Sequence, residues 1–243
     1  MSTIKKHLVT CALPYANGPL HIGHIAGCFL PSDIYVRHLR NAGKEVLFVC
    51  GTDEHGVPIT LKAKKQGVTP QDVVDVNYKI ISESLDKWGI DFDNFSRTTR
   101  PIHHETARDF FKTLYDKGVF IEEVTEQFYD EESNQFLADR YLTGECPNCG
   151  KDGAYGDQCE SCGRTLSPSE LINPKSVLTG NVPIRKATTN WFLPLDTLQT
   201  DFLNDWVASK KDVWKAHVYG QCMSWLNDGL KPRAMTRVLV WGF

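Results

Sequence analysis

Three observations in the 243-residue sequence predict an α/β fold, a parallel sheet interrupted by a small cysteine-rich insertion. Strand-length apolar runs alternate with helix-length segments through the first half. A Pro- and Gly-rich turn, "LPYANGPLHIGH", joins the first strand to the first helix. Two C-x2-C pairs stand together after the texture of the chain has changed.

The elements follow in order. His7 to Ala12 is a short apolar run suited to a buried parallel strand. From Ile22 to Asn41, Ile22, Ile25, Ala26, Phe29, Leu30 and Leu39 recur at roughly helical spacing, with Gly43 placed to close the helix and Pro31 predicting a kink or break. "EVLFVC", Glu45 to Cys50, is a second buried strand, so strand, helix and strand fit within one βαβ unit. Thr69 is a helix N-cap followed by Pro70, and Gly89 ends that helix after Trp88. Pro101 to Lys117 reads as a further helix stopped by Gly118. Val119 to Asp139 is aromatic and β-branched, Gly144 to Gly163 is rich in Cys and Gly, and helical patterning returns over Leu195 to Trp206 and Val213 to Leu226.

Composition narrows the function classes. With 41% hydrophobic and 23% charged residues the chain is of ordinary globular type and long enough for a real core. Its 27 basic against 30 acidic residues lack the basic excess of a stand-alone nucleic-acid binder, though a local basic surface stays open. No apolar run approaches the roughly 20 residues that span a bilayer, so no membrane role is expected. "MSTIKKHLVTCALPYANG" does not read as a secretory signal. The eight cysteines are therefore read as thiols of a cytoplasmic protein, with Cys11, Cys28, Cys50 and Cys222 in apolar contexts that suit small core residues.

Three places carry chemistry. A helix starting near His21 after a parallel strand points free backbone N–H groups out of the sheet's carboxyl edge, where open α/β sheets bind nucleotides. Gly23 leaves room for a flat base or ribose, and His21 and His24 become donors towards phosphate oxygens. The alternative is a capped helix with incidental surface histidines. In "CGTDEHGVPI", Asp53 follows the second strand on the same edge and can pair with a substrate ammonium; a solvated acidic turn is the other reading. Cys146, Cys149, Cys159 and Cys162 form C-P-N-C, nine residues, C-E-S-C, the spacing of a closed, structural four-thiolate zinc site. An iron ribbon or redox dithiols are the alternatives. His103, His104 and His217 form no such pattern and are read as surface or core residues.

"PYANGPLHIGH" resembles the first signature of the class I aminoacyl-tRNA synthetases, and "TCALPYANGPLHIGH" with "GTDEHG" is most similar to the methionine-specific branch. The isoleucine branch is the runner-up, although it usually carries a Trp-Asp-Cys-His type of loop at the second motif. The resemblance implies a Rossmann-like sheet forming the first half of the catalytic domain, with a zinc-knuckle connective insertion. Gly118 to Leu195 is too short for the large editing domain by which other branches correct weak discrimination in hydrophobic pockets.

The implied division is residues 1–117 as the nucleotide-binding half, 118–195 as the insertion with its knuckle at 144–164, and 196–243 as a helical return segment. The implied reaction joins methionine to ATP, with Mg2+, and then to tRNA(Met). By the same resemblance Asn17, Gly18, His21, Gly23 and His24 bind ATP, with His21 and His24 catalytic. Ala12, Leu13, Tyr15, Asp53 and Arg237 bind substrate.

"GLKPRAMTR" is also similar to this branch, but Val238 and Val240 stand where it commonly has aspartates. A second half of the nucleotide fold, a Lys-Met-Ser-Lys-Ser loop and anticodon-binding helices are expected beyond Phe243, and a homodimer only through such regions. Two other classes compete: a zinc-bearing interaction module without activity, and a small nucleotidyltransferase with the same HIGH turn.

Overall fold

The computed structural model describes residues 6–239, Trp241 and Gly242; Met1 to Lys5, Val240 and Phe243 lie outside the described residues. The chain divides into two compact units, one reaching Arg108 and including Trp241 and Gly242, the other Asp109 to Leu239.

In the first unit, β1 (Lys6–Thr10) leads through the Pro-Gly turn into α1 (Ile22–His24), a π-helical turn (Ile25–Phe29) and α2 (Leu30–Asn41). The helix does not break at Pro31. Proline has no N–H to donate, and the wider turn just before it, where Leu30 N–H reaches the Ile25 carbonyl, absorbs the misfit. Next come β2 (Glu45–Thr52), α3 (Val57–Gln66), α4 (Pro70–Lys87) and β3 (Asn94–Arg97). The sheet has the order β1-β2-β3 and is parallel throughout, Lys6 opposing Glu45 and Cys50 opposing Phe95. Thr69 caps α4 with Asp72 in a reciprocal box, as the Thr-Pro start predicts.

One sheet face is packed: Phe48 shares a buried core with Ile25, Phe29 and Val36 and with Ile81 and Leu85 of α4. α3 adds Ile59 and Ala63 against Val73 and Val74. The other face is open. Leu8 is 68% exposed and Leu47 51%, so the apolar runs read as wholly buried strands are covered on one side only.

α5 (Pro101–Asp116) runs from the first unit into the second. There β4 (Ile121–Asp130) and β5 (Gln135–Phe136) lead to a small sheet of β6 (Leu142–Glu145), β7 (Ala154–Tyr155) and β8 (Ile172–Ser176). β9 (Ile184–Leu193) returns antiparallel to β4. Helices α6 (Leu195–Leu198), α7 (Asn204–Ala208) and α8 (Ala216–Asp228) follow, a π-helical turn (Gln199–Leu203) joining the first two. The short β10 (Arg233–Ala234) joins the edge of β9. No helix among the described residues is long and apolar enough to cross a membrane.

Candidate functional site

The carboxyl edge of the parallel sheet carries the first group of candidates. Past Thr10 the chain turns through Pro14 and meets the chain leaving β2. Asp53 N–H donates to the Pro14 carbonyl at 2.9 Å, and Ala16 N–H donates to the Asp53 carbonyl at 2.8 Å. Tyr15 and Asp53 are thereby joined in an isolated parallel bridge. A cavity of about 360 Å3 lies across the strand ends, lined by Leu13, Cys50, Thr52, Ser96, Arg97 and His103 among others. Ala12 and Leu13 are exposed, as is the Asp53 side chain.

The first helix starts with an unusual cap. The His21 Nδ1 accepts the Gly23 N–H at 3.1 Å, and the His24 Nδ1 accepts the His21 N–H at 3.1 Å. The two rings stack with centroids 3.7 Å apart. A Cβ on residue 23 would stand 3.0 Å from the His21 ring and press on the cap, a crowding that glycine avoids. Because both Nδ1 atoms accept, both neutral rings carry their proton on Nε2. Burial and then the neighbouring His21 lower the pKa of His24, which favours that neutral form. Asn17 is held by its carbonyl, which accepts from Lys62 Nζ, and its N–H donates to the Tyr15 carbonyl at 2.8 Å. Gly18 has open space around it.

The second group is the cysteine cluster. The four sulfurs of Cys146, Cys149, Cys159 and Cys162 lie within 4.8 Å of one another and could hold a metal ion. Cys146 and Cys162 are 3.9 Å apart, Cys149 and Cys159 3.7 Å. The two pairs fold alike. Gly150 N–H donates to the Cys146 carbonyl and Cys146 N–H to the Lys151 carbonyl; Gly163 and Arg164 repeat this with Cys159. Each knuckle turns at a glycine with positive φ, 67° at Gly150 and 73° at Gly163. The Arg164 backbone N–H and the Asn148 side chain bring the Cys162 thiol down to about 6.

Arg237 belongs to the second unit, where it is exposed and lines a cavity of about 460 Å3 with Arg185 and Phe128. Val240 lies outside the described residues. His104, set aside from sequence as a surface or core residue, belongs to a cluster of rings: His55 stands 5.3 Å from His104 and 5.6 Å from Trp241. Burial and then the charge of His104 lower the pKa of His55. The alternative of a solvated acidic turn, with Asp53 and Glu54 both in water, does not hold for Glu54: Asp53 is exposed, but Glu54 beside it is fully buried. An acid in the wake of an apolar strand, with Arg97 ending the next strand, was the available signal.

The fold and this edge define the class: residues 7–243 match the family described as tRNA synthetases class I (M), and the chain belongs to that family. Among curated proteins it is 59% identical over 238 residues to a methionine–tRNA ligase of Bacteroides fragilis and 60% identical over 239 residues to one of Christiangramia forsetii. Each alignment covers 98% of this chain, against 35% and 34% of the relatives, so the chain spans about a third of their length. Among solved structures, Mycobacterium tuberculosis methionyl-tRNA synthetase in complex with methionyl-adenylate shares the fold. The TM-score is 0.70 at 21% identity, covering 98% of this chain and 42% of that one.

Proposed function

We propose that this chain is the N-terminal part of the catalytic domain of a methionine–tRNA ligase. The whole enzyme activates methionine with Mg2+-bound ATP and passes the methionyl group to the 3′ end of tRNA(Met). The observation that carries this reading is the bridge between Tyr15 and Asp53 at the same sheet edge as the doubly capped histidine turn.

In the first step a methionine carboxylate oxygen attacks the α-phosphorus of ATP and pyrophosphate leaves. Charge grows on the phosphate oxygens, and fixed donors there lower the barrier. His21 and His24 supply Nε2–H donors whose direction is set by the Nδ1 cap. Asn17, Gly18 and Gly23 form the floor under ATP. Asp53 takes the methionine ammonium, while Ala12, Leu13 and Tyr15 meet the rest of the amino acid.

Zinc fits the four cysteines. Sulfurs about 2.3 Å from a tetrahedral ion are about 3.8 Å apart, against the 3.7 and 3.9 Å found here. Four thiolates leave it no open position, so it cross-links the knuckles inside a connective insertion spanning residues 118–195. Such an enzyme belongs in the cytoplasm with its tRNA.

The test is ATP–pyrophosphate exchange by the full-length protein. Exchange that depends on methionine and not on isoleucine is expected. Equal use of both amino acids contradicts the assignment.

A further inference from the structure

Glu54 is 0% exposed. Its carboxylate accepts from Thr52 Oγ1 at 2.7 Å, from Arg97 Nε at 2.9 and 3.0 Å, and from the Thr99 hydroxyl. Its backbone is tied as well: the N–H donates to Thr98 Oγ1 at 2.9 Å, and the carbonyl accepts from Trp241 Nε1 at 2.6 Å. Arg97 carries the network on to Asp75 of α4 at 2.6 Å, with its guanidinium 4.5 Å above the Tyr78 ring.

A buried charge on this scale is retained only when it is paired and hydrogen-bonded, and an apolar pair of equal volume often stabilises a fold as well. The cluster therefore calls for a use beyond stability. Successive side chains of extended backbone point to opposite sides. With Glu54 fixed inward, Asp53 is turned outward towards the open edge, while Pro14 and Ala16 hold the Asp53 backbone from the front.

We propose that Glu54 and Arg97 are positioning residues for recognition of the substrate ammonium. They fix the Asp53 peptide from behind, so that its carboxylate is already aimed when the amino acid arrives. This rests on the reading that Asp53 takes the amino group of methionine. Neither residue touches the substrate; both act through the direction of a neighbour. Preorganisation of that kind appears in the affinity of the one group it serves.

The experiment uses the full-length enzyme with Glu54→Gln, Arg97→Lys and Thr99→Val. Two readouts are needed: KM values for methionine and ATP in exchange, and inhibition by 4-(methylthio)butanoate, which is methionine without its amino group. Glu54→Gln should raise the methionine KM about tenfold or more, while the ATP KM and the analogue's inhibition constant change less than about twofold. Thr99→Val, which removes one hydrogen bond and no charge, should raise it about threefold. In an Asp53→Asn background Glu54→Gln should add little, because the two act as one unit.

Equal weakening of methionine and analogue, or no weakening of either, overturns the proposal and leaves Glu54 a structural residue. If Glu54→Gln does not fold, Thr99→Val and Arg97→Lys decide by the same ratio. Failure of the functional reading is seen separately, as an unaltered enzyme that shows no methionine-dependent exchange.

Discussion

Tyr15 and Asp53 are partners in an isolated parallel bridge beyond the ends of β1 and β2. The bridge joins the turn before the first helix to the loop after the second strand, so the two motifs form one surface rather than two neighbouring ones. If Asp53 meets an ammonium there, Asp53→Ala should lower kcat/KM for methionine by about 30- to 1,000-fold, as for a desolvated charge pair that loses one member. Asp53→Asn should recover only part. Pre-steady-state adenylate formation against methionine concentration measures it; an unchanged methionine dependence contradicts the role.

The histidine cap makes a spectroscopic prediction. Nitrogen-15 shifts of His21 and His24 in the full-length enzyme should report Nε2–H tautomers, because both Nδ1 atoms accept backbone N–H groups. His24 should titrate with a midpoint below 6.5, burial and then His21 disfavouring its cation. Its folded pKa is thus depressed, so the neutral-ring cap contributes stability above 6.5 that is lost as pH falls through the lower folded value. A midpoint above 6.5 excludes the cap as described.

Replacing either ring removes its Nε2 donor along with its Nδ1 cap. His21→Ala or His24→Ala should slow adenylate formation by about 10- to 1,000-fold with methionine affinity little changed, the usual effect of removing a fixed donor at developing charge. Unchanged rates in both variants would return the rings to a capping role alone.

Some of this was legible in residues and some was not. Thr69-Pro70 and Gly89 gave the bounds of α4 because caps act within one turn, and the cysteine spacing foretold four converging sulfurs because a knuckle is a local object. The α3 helix was missed: Gly56-Val57-Pro58 looks like a continuing loop, and its helical stripe of Ile59 and Ala63 is short. β3 was missed because Asn94 to Arg97 has little apolar character and owes its strand state to pairing with β2. Glu54 had only a faint local signature, an acid just past an apolar strand, since its donors come from residues 97 and 99 as well as from nearby Thr52.

The second unit carries an acid-labile tie. Asp130, 2% exposed, accepts from Thr179 Oγ1 at 2.7 Å and from the Glu132 and Ser133 N–H groups at 3.0 and 3.2 Å. Burial opposes its ionisation, but these bonds and one from Ser176 outweigh it and hold the carboxyl at about 2. Because the folded pKa lies below the ordinary 3.8, the tie contributes above that value and fades as pH falls towards 2. Asp130→Ala should cost about 2 kcal/mol near neutral pH, and the difference from the unaltered protein should shrink in denaturant titrations below pH 4. A difference that grows on acidification contradicts this.

Metal analysis should find one zinc per chain, and Cys159→Ser should release it. Residues 144–164 should then lose amide-exchange protection while residues 7–50 keep theirs, since the strand–helix–strand contacts are local to the sheet. Zinc retained by this variant contradicts the assignment.

The matched hydrogen bonds of the two knuckles bear on how an ion is captured. Each C-x2-C turn closes on its own carbonyls and N–H groups, so each presents its two sulfurs as one two-toothed chelate. An ion caught by Cys146 and Cys149 finds the second pair tethered by only nine residues. The second capture is then intramolecular, at the millimolar effective concentration typical of short tethers. Loading should therefore be all-or-none across a population of chains, with half-filled knuckles too short-lived to accumulate.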